Sequence, residues 1–153
     1  MDPGFAPAWG LDWAWGLPLI LLTVVFHAYF LGLLNQEVSL KLSDTRRPRH
    51  FSSVSNFVIG GTALSATMLH AFECFMWAGA YRLLGALPGT KSAMLYSLSA
   101  MTSYGHANLY LTPNWQMMGA LEALSGWILF GLTTAFLFTV VQKVWFALEA
   151  GRE

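Results

Sequence analysis

The sequence is poor in charged residues and in cysteine. Only 10% of its 153 residues are Asp, Glu, Lys or Arg, whereas an ordinary soluble domain carries about 25%. Eight basic and eight acidic side chains give a formal net charge of zero, so the chain lacks the basic excess of a nucleic-acid-binding protein. The single cysteine, Cys74, excludes an intrachain disulfide framework and a cysteine cluster for zinc or iron–sulfur.

Apolar residues dominate instead. They make up 56% of the chain, and the mean hydropathy is +0.51. So few charges cannot cover the surface of a soluble globule, and the length leaves room for one small bundle. The composition therefore predicts an all-α integral membrane protein. We expect no second domain and no enzymatic activity.

The first membrane span is predicted at residues 15–34, which contain no charge. Twenty helical residues reach about 30 Å, the thickness of the hydrocarbon core of a bilayer. A cleaved signal peptide would need a basic start and a shorter apolar run, but the preceding residues carry only Asp2 and Asp12. We therefore expect a retained span.

A polar loop is predicted at residues 35–55. It holds four of the eight basic residues, Lys41, Arg46, Arg47 and Arg49. The positive-inside rule then places this loop in the cytoplasm and the N-terminus outside. Contact of the basic residues with anionic lipid headgroups is a second expected effect.

Two further spans, at residues 57–84 and 115–145, flank a segment that does not fit a simple helical hairpin. Pro88 and Gly89 break the chain, and the short helix predicted at 91–100 reaches only about 15 Å. A polar, glycine-containing stretch follows. Polar backbone at membrane depth must be buried in protein or line water, and copies of the chain about a symmetry axis would provide that shelter. An extracellular loop resting on the interface is the alternative.

Two stretches resemble the pore module of bacterial tetrameric potassium channels. SAMLYSLSAMTSYGHANLYLTPNW is similar to the pore helix, selectivity filter and outer mouth of that family, and LEALSGWILFGLTTAFLFTVV is similar to its inner helix. The resemblance implies three transmembrane helices, a re-entrant pore helix with a filter loop, and a homotetramer. It also implies that Gly126 and Gly131 are inner-helix hinges. The first span resembles the extra N-terminal helix of some small members.

The filter of this sequence departs from the family pattern TVGYGD. Aligned without a gap, the filter positions are Ser103, Tyr104, Gly105, His106, Ala107 and Asn108. A rival register matches Tyr104 and Gly105 to the Tyr-Gly of the family, but it needs a shift of two residues before the inner helix. We prefer the ungapped alignment.

These departures bear on ion selectivity. A potassium filter replaces the water around the ion with backbone carbonyls. Gly105 keeps a position that favours a left-handed backbone, whereas the β-carbon of Ala107 would cost about 1–2 kcal/mol there. His106 replaces a filter tyrosine with a side chain whose ordinary pKa lies near neutrality, and Asn108 removes a negative charge from the outer mouth. The sequence thus predicts a weakly selective or non-selective channel for K⁺ or Na⁺, without a cofactor. A non-conducting accessory subunit remains an alternative.

Other inner-helix residues also have predicted roles. Phe136 or Phe138 is a candidate hydrophobic gate that closes by dewetting. Glu122, near the start of the helix, interacts favourably with the helix N-terminus and is expected to brace the filter from behind.

Three ionisable residues fall within the first two spans, namely His27, His70 and Glu73. Ionisable groups at membrane depth suggest a function, here a proton sensor or a metal site. The alternative that we favour is interhelical hydrogen bonding with no metal. The two histidines also allow a third class of function, a haem cytochrome with two histidine ligands.

The predicted organisation has three parts. Residues 1–55 comprise the N-terminal tail, the first span and the basic loop, residues 56–147 form the pore module, and residues 148–153 form a short cytoplasmic tail. The expected partners are other copies of the chain and membrane lipids, and the expected location is the bacterial inner membrane.

Overall fold

The computed structural model describes residues 8–44, 51–105 and 108–150, and this part of the chain is built from helices and their connections. The helices are α1 (Ala8–Asp44), α2 (Phe51–Leu83), α3 (Thr90–Met101) and α4 (Gln116–Ala150), with a one-turn 3₁₀ helix at Pro113–Trp115 before α4. The all-α prediction is confirmed.

Three of these helices are long and apolar enough to cross a membrane. The qualifying stretches are Gly10–Leu42, Ser55–Leu83 and Pro113–Glu149. The shortest, with 29 residues, reaches about 44 Å, which exceeds the roughly 30 Å of a hydrocarbon core. The predicted number of helices with the length and hydropathy of membrane spans, three, is confirmed for the described residues.

The predicted polar loop at 35–55 is wrong over most of its length. Helix α1 continues to Asp44, and α2 already begins at Phe51. Lys41 therefore lies in a helix, whereas Arg46, Arg47 and Arg49 lie outside the described residues.

Packing explains why α1 continues past its apolar run. Val38 is buried, and Lys143 Nζ donates hydrogen bonds to Asn35 Oδ1 at 2.7 Å and to Ser39 Oγ at 2.9 Å. Residues 35–44 also lack Pro and Gly, so nothing in the local sequence ends the helix.

Helix α3 agrees with the predicted short helix to within one residue at each end. It starts after Gly89, whose backbone is extended (φ −126°, ψ 146°). The Ser92 hydroxyl donates to the Gly89 carbonyl at 2.8 Å. Twelve residues reach only about 18 Å, so α3 is too short to cross a bilayer.

The chain divides into two compact units. The first comprises Met1–Phe26 and His70–Leu129, and the second comprises His27–Leu69 and Phe130–Glu153. The core of the first unit contains the buried side chains of Trp77, Tyr81, Met101, Met118 and Leu129. The core of the second unit contains Val38, Val58, Val140 and Val144.

Candidate functional site

The predicted filter segment starts at the C-terminus of α3. Ser103 N–H donates to the Ala100 carbonyl at 3.0 Å, and Tyr104 N–H donates to the Ser99 carbonyl at 2.9 Å. This pair of bonds is a Schellman motif, which requires a left-handed residue at its turn. Ser103 takes that conformation with φ 55°, although glycine is the usual residue there.

Gly105 is the second left-handed residue of the segment, with φ 76°. The sequence predicted this conformation for Gly105 but not for Ser103. His106 and Ala107, the next two filter positions, lie outside the described residues. Tyr104 lies between the two left-handed residues Ser103 and Gly105.

The far end of the segment is held by the turn between α2 and α3. Thr112 N–H donates to the Ala86 carbonyl at 3.2 Å, and the neighbouring Leu111 is buried. Between these fixed ends, Tyr104, Asn108 and Tyr110 are exposed. The segment is therefore anchored at both ends, with these three described residues exposed between the anchors.

Glu122 is the buried centre of a hydrogen-bond network behind α3. The Tyr81 hydroxyl on α2 donates to Glu122 Oε2 at 2.6 Å, and Ser97 Oγ on α3 contacts Glu122 Oε1. Ser97 Oγ also donates to the Cys74 carbonyl at 2.8 Å. The network thus joins α2, α3 and α4.

The single hydroxyl proton of Ser97 limits which of its two contacts can be hydrogen bonds that it donates. Ser97 has one hydroxyl proton, and a backbone carbonyl such as that of Cys74 can only accept. Both contacts of Ser97 are therefore hydrogen bonds when Glu122 carries a proton and donates it to Ser97. A neutral carboxyl group with partners on both oxygens also costs less to bury than an unpaired charge.

Glycines let α4 pack closely against α3. A β-carbon on Gly126 would overlap the carbonyl of Met101, and one on Gly119 would overlap the hydroxyl of Tyr96. Gly131, by contrast, has no atom near its would-be β-carbon. The structure thus gives Gly126 a packing role, and the hinge role of Gly126 and Gly131 stays a prediction.

Trp127 connects α4 directly to the filter segment. Its indole Nε1–H donates to Ser103 Oγ at 3.1 Å, and its side chain is 71% exposed. The next residue after the packing glycine therefore contacts the left-handed residue at the start of the predicted filter.

Asp12 anchors the start of α4 from α1. Its side chain is buried, and its Oδ1 accepts a hydrogen bond from Met118 N–H at 3.2 Å. The first N–H groups of a helix have no partner within the helix, so Asp12 supplies one from a distant part of the chain.

The three ionisable residues predicted within the spans are all buried, and they belong to different units. In the first unit, His70 Nδ1 lies 3.3 Å from Glu73 Oε2. In the second unit, His27 Nε2 and Thr133 Oγ1 are 3.0 Å apart. Proton sensing, metal binding and haem ligation remain hypotheses.

The two candidate gate residues have different surroundings in the second unit. Phe136 is half-buried against the valine core, whereas Phe138 is 60% exposed. Of these two residues, only Phe138 is mostly exposed.

Sequence reasoning missed Asp12, Tyr81, Ser97 and Trp127 as parts of this site. Their partners lie 24 to 106 residues away along the chain, so no local pattern indicated them. One signal was present for Asp12: a carboxylate close to an apolar span needs a partner if it is buried.

No family model, curated protein or solved structure matches this sequence.

Proposed function

We propose that this protein is a subunit of a homotetrameric, potassium-channel-like cation channel of the bacterial inner membrane with weak or no selectivity for K⁺. The observation that carries the proposal is the arrangement around α3. A helix too short to cross a bilayer ends in a capped turn, and that turn leads into a polar segment held beside long apolar helices.

The exposed tyrosines of the segment need shelter from lipid. Tyr104 is 83% exposed and Tyr110 is 69% exposed in the single chain, and the backbone between them cannot face lipid. Four copies about an axis would place these segments side by side around water. The exposed apolar side chains of α4, such as Leu124 and Ile128, would then pack against the neighbouring copies.

The ion pathway would run past the carbonyls of residues 103–107. The left-handed backbone at Ser103 and Gly105 supports an alternating run of carbonyls. Ala107 and Asn108, where the family has glycine and aspartate, argue for weak discrimination between K⁺ and Na⁺. Phe138 is the better gate candidate because most of its ring is exposed.

The proposed orientation of the chain in the membrane rests on the positions of its basic residues. The basic residues around 41–49 and Lys143 near the end of α4 favour a cytoplasmic location for these parts, with the N-terminus outside.

A planar-bilayer recording of the purified protein under bi-ionic K⁺ and Na⁺ tests the proposal. We expect discrete currents with a permeability ratio of K⁺ to Na⁺ below about ten. Recordings at about pH 5.5 and about pH 8, on either side of the ordinary pKa of histidine, test whether His106 contributes.

The other outcomes separate the alternatives. A permeability ratio of K⁺ to Na⁺ on the order of hundreds would contradict weak selectivity. The absence of current would contradict conduction and favour an accessory subunit. A haem absorption band in the purified protein would favour a cytochrome.

A further inference from the structure

The hydroxyl of Ser103 has a partner on α4. Trp127 Nε1–H donates to Ser103 Oγ at 3.1 Å, and both residues belong to the first compact unit. The indole nitrogen can donate but cannot accept, so the direction of this bond is fixed. Electron density on Ser103 Oγ is therefore drawn toward the indole.

Ser103 also has an unfavourable backbone. Its φ of 55° costs a residue with a β-carbon about 1–2 kcal/mol, and such strain persists where the surroundings hold it in place. The bonds of the Schellman motif fix the main chain, and the Trp127 bond fixes the side chain. The start of the segment is therefore held by α3 and α4 together.

Close packing makes this contact dependent on the position of α4. Gly126, next to Trp127, lies so near the Met101 carbonyl that a β-carbon would not fit. Trp127 therefore reaches Ser103 only while the two helices stay in contact at this point.

We propose that Trp127 is a positioning residue that holds the Ser103 hydroxyl away from the ion pathway and weakens it as a cation ligand. This inference rests on the proposed channel function. An oxygen that already accepts an indole N–H offers less negative charge to a passing ion. Loss of the indole N–H would free the hydroxyl to bind the ion at the inner end of the filter.

The first test measures how conductance depends on K⁺ concentration. Trp127→Phe keeps an aromatic ring and removes the donor. We expect it to lower the K⁺ concentration at half-maximal conductance about threefold, which is the effect of one modest hydrogen bond. Trp145→Phe is the matched control because Trp145 is also exposed, at 61%, and lies in the second unit.

A double-mutant cycle identifies the partner. Ser103→Ala removes the freed ligand, so Trp127→Phe should have no further effect in the Ser103→Ala background. An equal shift in both backgrounds would overturn the inference, and so would an unchanged half-maximal concentration in a conducting Trp127→Phe channel. Neither result would affect the proposed channel function.

The second test needs no current. The chain has seven tryptophans, and Trp127→Phe assigns one indole N–H signal in the ¹⁵N–¹H NMR spectrum of the protein in detergent. Ser103→Ala should move that signal upfield and leave the signal of Trp145 in place. If the wild-type protein passes no current, the proposed function fails, and the inferred contact is then decided here: an unmoved Trp127 signal overturns it.

Discussion

At the scale of single residues, two buried carboxyl groups of the first unit have partners on other helices. Glu122 on α4 contacts Tyr81 on α2 and Ser97 on α3, and Asp12 on α1 contacts the backbone of Met118 on α4. In an apolar environment such bonds contribute about 0.6–2 kcal/mol each. They also fix which helices are neighbours, because apolar packing alone tolerates small slips.

Substitutions at Glu122 test the proton count of its network. A glutamine side chain at this position can donate to Ser97 and accept from Tyr81, so we expect Glu122→Gln to change the free energy of unfolding by less than about 1 kcal/mol. Glu122→Ala leaves a cavity and removes the acceptor of the Tyr81 hydroxyl, while Ser97 keeps its bond to the Cys74 carbonyl. We expect a loss of about 2–4 kcal/mol.

Thermal unfolding in detergent measures both variants against the wild type. If Glu122→Gln destabilises the protein as much as Glu122→Ala, the carboxyl group accepts on both oxygens and the proposed proton is absent.

The sequence predicted a structural role for Glu122 but not its partners. Its position near the start of an apolar helix predicted that it braces the filter from behind, and that role stays a prediction. Tyr81 and Ser97 lie 41 and 25 residues away along the chain. Because several hydroxyl groups occur in the same helices, only the packed structure selects these two.

At the scale of secondary structure, hydropathy predicted the existence of the long helices better than their ends. An apolar run predicts only the part of a helix that suits lipid. It does not predict the polar helical turns beyond that run, which tertiary contacts stabilise, such as those of Lys143 with Asn35 and Ser39. Helix α3 was predicted more closely because Pro88 and Gly89 mark its start in the sequence itself.

A pair of glycine substitutions compares a closely packed position of α4 with an open one. In Gly126→Ala the new β-carbon meets the backbone of Met101, so we expect a loss of about 1–3 kcal/mol in the free energy of unfolding. In Gly131→Ala no atom lies within 4 Å, so we expect a gain of up to about 1 kcal/mol from helix propensity.

Chemical or thermal unfolding in detergent distinguishes the two glycine variants. Stabilisation by Gly126→Ala would contradict the close contact of α4 with α3.

Asp12 offers a test of whether α1 supports the start of α4. Asp12→Ala removes the acceptor for Met118 N–H, and we expect a loss of about 1 kcal/mol, as for other helix caps. Asp12→Asn keeps an acceptor oxygen and should retain most of the stability. The matched control is Glu37→Ala, an exposed acidic residue on the same helix, which should change stability by less than about 0.5 kcal/mol.

Limited proteolysis and thermal unfolding measure the stability of these α1 variants. Equal effects of Asp12→Ala and Glu37→Ala would show that α4 starts independently of α1.

At the scale of the whole molecule, the sequence predicts that a polar segment beside the apolar helices must be shielded from lipid. Three apolar helices suit a bilayer, whereas the exposed stretch around Tyr104 and Tyr110 does not suit lipid. The need for shelter and the resemblance of the sequence to a pore module lead to the same proposal. The number of copies and their arrangement cannot be predicted from local sequence patterns, because both depend on how the exposed surfaces of separate chains fit together.

A density map of the purified protein in lipid nanodiscs shows whether these segments meet at a shared axis. We expect four copies related by a fourfold axis, with residues 102–112 of every copy beside that axis and α4 lining the cavity below. Single copies, or an assembly whose axis holds only lipid while residues 102–112 lie at its outer edge, would contradict it.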